Sequence, residues 1–166
     1  MVESSTWPDR DAMHADGVCD VVVEIPRGSR NKYEVNDDGE MWFDRRLGGP
    51  AGFPGDYGYV IGAEGEDGDG LDALVLIDEP TYPGIYIRTR VVAAFLLKVG
   101  EIEETKLICV PRNSHYVDHL GDLGDLAPAF VEELDSFFAA YRMLEEVGVE
   151  VLEHQDRETA IATLCR

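Results

Sequence analysis

Asp67-Gly68-Asp69-Gly70-Leu71-Asp72 packs three carboxylates into six residues, with Glu64 and Glu66 just upstream. Carboxylates a few Å apart raise one another's pKa and repel, so the cluster calls for a positive charge among them. Donors that are all oxygen suit hard divalent ions such as Mg2+, Mn2+ or Ca2+ rather than zinc or copper. The competing explanation is a solvated acidic turn in an acidic protein. An EF-hand frame starting at Asp67 puts Asp72 where the sixth loop position needs glycine, and Asp78 where the twelfth prefers glutamate. It also fails downstream, because Ala73-Leu74-Val75-Leu76-Ile77 reads as a buried strand rather than a helix. A loop that runs directly into a strand holds Asp72 rigidly, which a catalytic metal site requires.

Further candidates for metal and phosphate contacts lie around this loop. Glu24 interrupts the apolar run Val22-Val23-Glu24-Ile25-Pro26; Lys32 and Glu34 flank Tyr33, two apart and so on one strand face. Arg45 follows Phe43-Asp44, and Tyr57 and Tyr59 lie in Asp56-Tyr57-Gly58-Tyr59. Taken singly, a strand lysine or arginine is an ordinary surface residue and a strand tyrosine an ordinary core residue.

The elements that must position these groups are mostly strands. Short β-rich segments are expected at 21–25, 32–35, 41–44, 57–61, 73–77, 85–97 and 106–110, separated by turn-forming clusters such as Asn36-Asp37-Asp38-Gly39 and Gly48-Gly49-Pro50. Strands bunched without intervening helical periods suggest antiparallel hairpins closed into a barrel or sandwich. Helical spacing arrives late. From Pro128 to Glu145, Phe130, Val131, Leu134, Phe137, Phe138, Tyr141 and Leu144 recur every three or four residues, opposite Glu132, Glu133 and Asp135. Pro128 suits the first turn of this helix and Asp125 is placed to help cap it. A second short helix is expected after Asp156, to about Leu164. Residues 1–17 read as a variable arm with Trp7-Pro8 as its anchor, and 18–166 as a single α+β domain.

A chain of 166 residues with 45% hydrophobic content can bury one core without staples. Its net charge of -20 argues against partners with phosphate backbones or anionic membrane surfaces. Cys19, Cys109 and Cys165 are odd in number and far apart, which suggests neither a disulfide framework nor a zinc site. With no long apolar run and no hydrophobic leader, a soluble cytoplasmic protein is expected.

In order, these pieces resemble the soluble family I inorganic pyrophosphatases over roughly residues 18–160. The matching text is Val-Glu-Ile-Pro at 23–26, Asn-Lys-Tyr-Glu at 31–34, Phe-Asp-Arg at 43–45 and Pro-Gly-Asp-Tyr-Gly-Tyr at 54–59. It continues with Asp-Gly-Asp-Gly-Leu-Asp-Ala at 67–73, Lys-Leu-Ile-Cys-Val-Pro at 106–111 and Asp-His-Leu-Gly-Asp-Leu at 118–123. The resemblance implies an OB-like antiparallel β-barrel flanked by a long amphipathic helix and a short C-terminal one. It implies Mg2+ (or Mn2+) as cofactor, hydrolysis of pyrophosphate to two phosphates by a metal-activated water, and a homo-oligomer, commonly a hexamer. Carried over residue by residue, Asp67, Asp72 and Glu104 are metal ligands, and Asp69 is the proton acceptor beside the attacking water. Glu24 and Glu34 serve metals that arrive with substrate. Lys32, Arg45, Tyr57, Lys106, Tyr141 and Arg142 contact phosphate oxygens.

The chain also departs from the family pattern. Val99 and Glu104 stand where metal-binding aspartates are usual, and valine binds no metal. Phe53 replaces a phosphate-binding tyrosine, a hydroxyl worth ~1.5–3 kcal/mol against a charged partner. Gly70 replaces a proline, which loosens the loop by up to ~1 kcal/mol, and Arg142 replaces a lysine, keeping charge but not shape. Two readings follow. In one, Glu101, two residues beyond Val99 on the same face if the strand continues, supplies the missing carboxylate and the enzyme works. In the other, a diverged homologue binds metal and phosphate compounds with little turnover. A calcium-stabilised acidic module explains the loop but not the basic and tyrosine positions. His14, His115, His119 and His154 are assigned no catalytic role, and Cys109 is read as a small buried side chain.

Overall fold

The computed structural model describes residues 9–49 and 51–166. Among these described residues eight strands form: β1 (Val18–Ile25), β2 (Asn31–Val35), β3 (Met41–Arg46), β4 (Asp56–Glu64), β5 (Gly70–Val75), β6 (Tyr86–Val99), β7 (Ile102–Pro111) and β8 (Val149–Gln155). Three helices accompany them: α1 (Arg10–Ala15), α2 (Pro128–Ala140) and α3 (Arg157–Leu164). Five strands close a ring in the order β1-β4-β5-β7-β6 and back to β1; β8 adds to β6, and β2 with β3 makes a separate two-stranded ribbon. All seven β-rich segments expected from the sequence form strands. The expectation of a wholly antiparallel barrel is corrected at one seam. β6 is antiparallel to both β1 and β7, and β5 and β7 run parallel.

The 14-residue β6 pairs with β7 along one edge, with a register shift between Val91 and Ala93, and with two strands in turn along the other. Its first half pairs with β1 and its second half with β8. Side-chain alternation then divides the interior in two. Leu71, Ala73 and Val75 of β5, with Leu107 and Cys109 of β7, pack into one apolar cluster, reached by Ala160 and Leu164 of α3. Leu74, Leu76, Ile108 and Val110 face the other way and are covered by Leu134 and Phe138 of α2. Asp72, Glu104 and Lys106 share this second face by the period of two, so the same alternation that builds the core aims them at one place.

Three local expectations are corrected. α2 stops at Ala140, not Glu145: Met143–Glu145 form a 3-10 turn and Glu146 takes a left-handed φ of 57°. Leu144, expected on the apolar face, is therefore 73% exposed. Asp125 does not cap α2. It accepts from the backbone N–H groups of Gly121 and Asp122 at 2.9 Å, and α2 begins at Ala127-Pro128 without a side-chain cap. Finally, ordered structure starts before Val18. α1 packs on β1 and α3 and buries His14, whose pKa is lowered chiefly by desolvation. Trp7 and Pro8 lie outside the described residues. α3 matches expectation, with the Asp156 carboxylate accepting from Thr159 N–H at 2.9 Å. No helix among the described residues is long and apolar enough to cross a membrane.

Candidate active site

The acidic loop is the tip of the β4–β5 hairpin, closed where Glu64 pairs with Gly70. Gly65 N–H donates to the Asp69 carbonyl at 2.8 Å, and Asp69 N–H donates to Asp67 Oδ1 at 3.0 Å. Gly68 supplies the left-handed turn residue, φ +85°. Gly70 sits inside β5, where a Cβ would come within 3.0 Å of the Tyr59 side chain. Its smallness thus makes room for Tyr59, which also lines the site; loop loosening is not its main effect.

Asp72 follows in β5, opposite Tyr59 of β4 on one side and Lys106 of β7 on the other. The parallel β5–β7 seam sets that second pairing. Lys106 Nζ donates to Asp72 Oδ2 at 2.5 Å and to Glu104 Oε2 at 2.8 Å, while the side chain is only 2% exposed. Burial alone would lower the pKa of this ammonium, yet Tyr57, Asp72, Tyr141 and Glu104 around it hold it well above the ordinary lysine value. Tyr57 and Tyr141 are buried beside it, and desolvation raises both phenol pKa values. Phe53, where a tyrosine was the family expectation, packs tilted against Tyr57 at 5.1 Å and edge-on against Phe137 at 4.7 Å and Tyr141 at 6.5 Å. Its ring buttresses the two hydroxyl-bearing rings instead of donating a bond of its own.

The facing wall comes from the β2–β3 ribbon and the turn after α2. Lys32 Nζ lies 2.7 Å from Glu34 Oε1 and 3.9 Å from Asp44 Oδ2. Arg45 bonds Asp44 at 2.5 Å and also Glu145, and Arg142 Nε donates to Glu145 Oε2 at 2.5 Å. Between the walls lies a cleft of about 580 Å3 that brings together Glu24, Lys32, Glu34, Arg45, Tyr57, Asp67, Asp69, Asp72, Glu104, Lys106, Tyr141 and Arg142. Glu24, half-buried and near the charge of Asp72, has its pKa raised to about 7, by desolvation first. Among the described residues no three His, Cys, Asp or Glu side chains converge as a ready-made metal cage; Asp72 and Glu104 turn to Lys106.

Glu101 is the exception among the expected site residues. β6 ends at Val99, which pairs with Ile102, so Gly100 (φ +60°) and Glu101 form a tight exposed turn and the strand does not continue. Glu101 therefore does not line the cleft. Nor does Val99, which is 6% exposed in the apolar cluster under α2 and pairs with Val149 of β8. Glu101→Gln is accordingly expected to leave activity at the parent level. Val99→Asp, offered as a restored metal ligand, should instead bury an unpaired carboxylate and lower stability by about 3 kcal/mol, read from urea unfolding. Conversely, Glu145 lines the cleft and had drawn no attention in the sequence. Its signal was available as an acid three residues after Arg142.

Most of the chain matches known proteins. The inorganic pyrophosphatase family profile matches residues 21–166. An inorganic pyrophosphatase of Streptomyces coelicolor is 46% identical over 127 residues, 76% of this chain and 78% of that one. The Thermus thermophilus enzyme is 38% identical over 151 residues, 89% of this chain and 86% of its own. The crystal structure of inorganic pyrophosphatase from Thermus thermophilus superposes with a TM-score of 0.87 at 35% identity, covering 98% of this chain and 94% of that one. That from Helicobacter pylori gives 0.84 at 32%, covering 91% of each. With the profile spanning residues 21–166 and relatives of 38–46% identity covering three quarters or more of it, the chain belongs to the inorganic pyrophosphatase family.

Proposed function

We propose that the chain hydrolyses inorganic pyrophosphate to two phosphates in this cleft, using Mg2+, with Mn2+ able to replace it. The observation that carries this reading is the division of one cleft into an acidic wall and a wall of phosphate donors. Glu24, Asp67, Asp69, Asp72 and Glu104 line the first; Lys32, Arg45 and Arg142 stand on the second, with Lys106, Tyr57 and Tyr141 at the floor. The acidic wall offers only carboxylate oxygens, the donor set of a hard divalent cation. Asp67, Asp72 and Glu104 would hold it, and Glu24 and Glu34 would serve further cations brought by substrate. Bound there, the cation neutralises phosphoryl oxygens and acidifies water.

The chain's own groups do the rest. Lysine, arginine and tyrosine donors hold the two phosphate groups in line and carry the charge that spreads over their oxygens as the reaction proceeds. Asp69 accepts a proton from the water that attacks one phosphorus. The bond from that phosphorus to the bridging oxygen breaks, and the second phosphate leaves with its charge held by the donor wall. We further infer a single functional unit over 18–166 and a cytoplasmic setting, supported by unpaired cysteines. A homo-oligomer, a hexamer, is supported by family resemblance; the chain's acidity disfavours nucleic-acid and membrane partners.

Phosphate release from pyrophosphate, measured across Mg2+ and Mn2+ series, tests the reading. Metal-dependent release is expected; a folded protein that releases none above buffer at any metal concentration would sink it.

A further inference from the structure

Glu145 has no part in the scheme above, yet it is the residue that touches both arginines of the donor wall. Its Oε1 accepts from Arg45 Nη2, and its Oε2 accepts from Arg142 Nε at 2.5 Å. Arg45 lies in β3 and Arg142 just past α2, so one carboxylate ties two elements that meet only in the folded chain. Charge matching alone does not explain an acid here, since it repels the anion that the wall exists to bind. What it offers is order. Two long guanidinium side chains lose rotamer freedom when they bind phosphate, and a side chain already fixed in place loses less.

The shape of arginine makes the arrangement workable. Arg142 spends Nε on Glu145 and keeps its two terminal nitrogens for a ligand, because the guanidinium fork carries five donors. A lysine at 142 would have to share one nitrogen between carboxylate and phosphate. Arg45 is held from two sides, by Asp44 and by Glu145.

We propose that Glu145 is a positioning residue that clamps Arg45 and Arg142 into one preorganised phosphate-binding unit. The inference rests on the pyrophosphatase reading of the cleft. Its test uses Glu145→Gln, which keeps size and removes charge, alongside Arg142→Lys and the double variant. KM for pyrophosphate should rise about 10-fold in Glu145→Gln, with the effect falling on KM rather than kcat. Affinity for inorganic phosphate, measured by calorimetry without turnover, should weaken by a similar factor. Once the clamp is gone, Arg142→Lys should weaken phosphate binding less than it does in the parent. An unchanged phosphate affinity in Glu145→Gln, or strictly additive losses in the double variant, would overturn the proposal. Turnover by the parent is scored separately. A parent that binds phosphate but hydrolyses nothing counts against the catalytic reading, while the calorimetric comparison still decides the role of Glu145.

Discussion

Asp72→Asn is expected to reduce phosphate release by about 1,000-fold or more, the largest activity loss of any single substitution in this cleft. Three features converge on that carboxylate. It sits in the middle of the sheet, pinned between β4 and β7, so no neighbouring acid can swing in to replace it. It is the 2.5 Å partner of a buried ammonium, and its charge contributes to the raised pKa of Glu24. It is also the acid proposed to hold metal from the most rigid position. Asparagine keeps an acceptor oxygen for Lys106, so the fold should survive, and circular dichroism together with a phosphate-release assay separates chemistry from unfolding. Asp69→Asn provides the comparison. Asp69 lies on the exposed loop and its proposed task is proton acceptance, so a loss of about 100-fold is expected there. Equal activity in the parent and Asp72→Asn would remove Asp72 from the mechanism.

Lys106→Met should cost stability on the same scale as Val99→Asp, through a different cause. A buried ion pair is weak evidence for net stabilisation, but removing one partner leaves the other charges uncompensated, at a cost of about 3 kcal/mol here, since Asp72 and Glu104 retain side-chain exposures of 29% and 14%. Urea unfolding gives the size. The same variant also tests the cation site without turnover. With the ammonium gone, millimolar Mg2+ should raise its unfolding midpoint more than it raises the parent's, because the ion then neutralises carboxylates that Lys106 otherwise serves. A Mg2+ effect no larger in the variant than in the parent would mean that these oxygens do not cooperate in holding metal. Phosphate release should fall as well, by about 100-fold, through loss of a donor to the developing charge.

Much of this arrangement was legible because apolar runs bounded by turn-forming residues mark the barrel strands, within which successive side chains point to opposite faces with a period of two. Ala73-Leu74-Val75 and Leu107-Ile108-Cys109-Val110 announce strands, and the same period puts Asp72 and Lys106 on the side that became the cleft. What escaped has common physical causes. β8 carries small apolar residues at Val149 and Val151 among acids, too weak a signal without knowing that the far half of β6 offers an open edge. The parallel β5–β7 seam depends on β6 passing between two distant neighbours, a tertiary fact with no local trace. The helical spacing through Leu144 is real but the helix stops at Ala140 and a 3-10 turn follows, so Glu145 read only as the end of the helical segment and not as a wall of the site. Glu101 failed for a similar reason. Its role needed β6 to run two residues further than Gly100 allows.

The clamp between Arg45 and Glu145 spans 100 residues of sequence, and the Lys106–Asp72 pair spans 34. Contacts so distant along the chain form late, after the loop entropy of the barrel has been overcome. A nascent chain that has emerged as far as β7 carries every acid of the metal-binding wall but lacks Tyr141, Arg142 and Glu145. Phosphate affinity should therefore switch on only once the segment carrying Tyr141, Arg142 and Glu145 has emerged and docked, which makes ligand binding a reporter of a late step of folding.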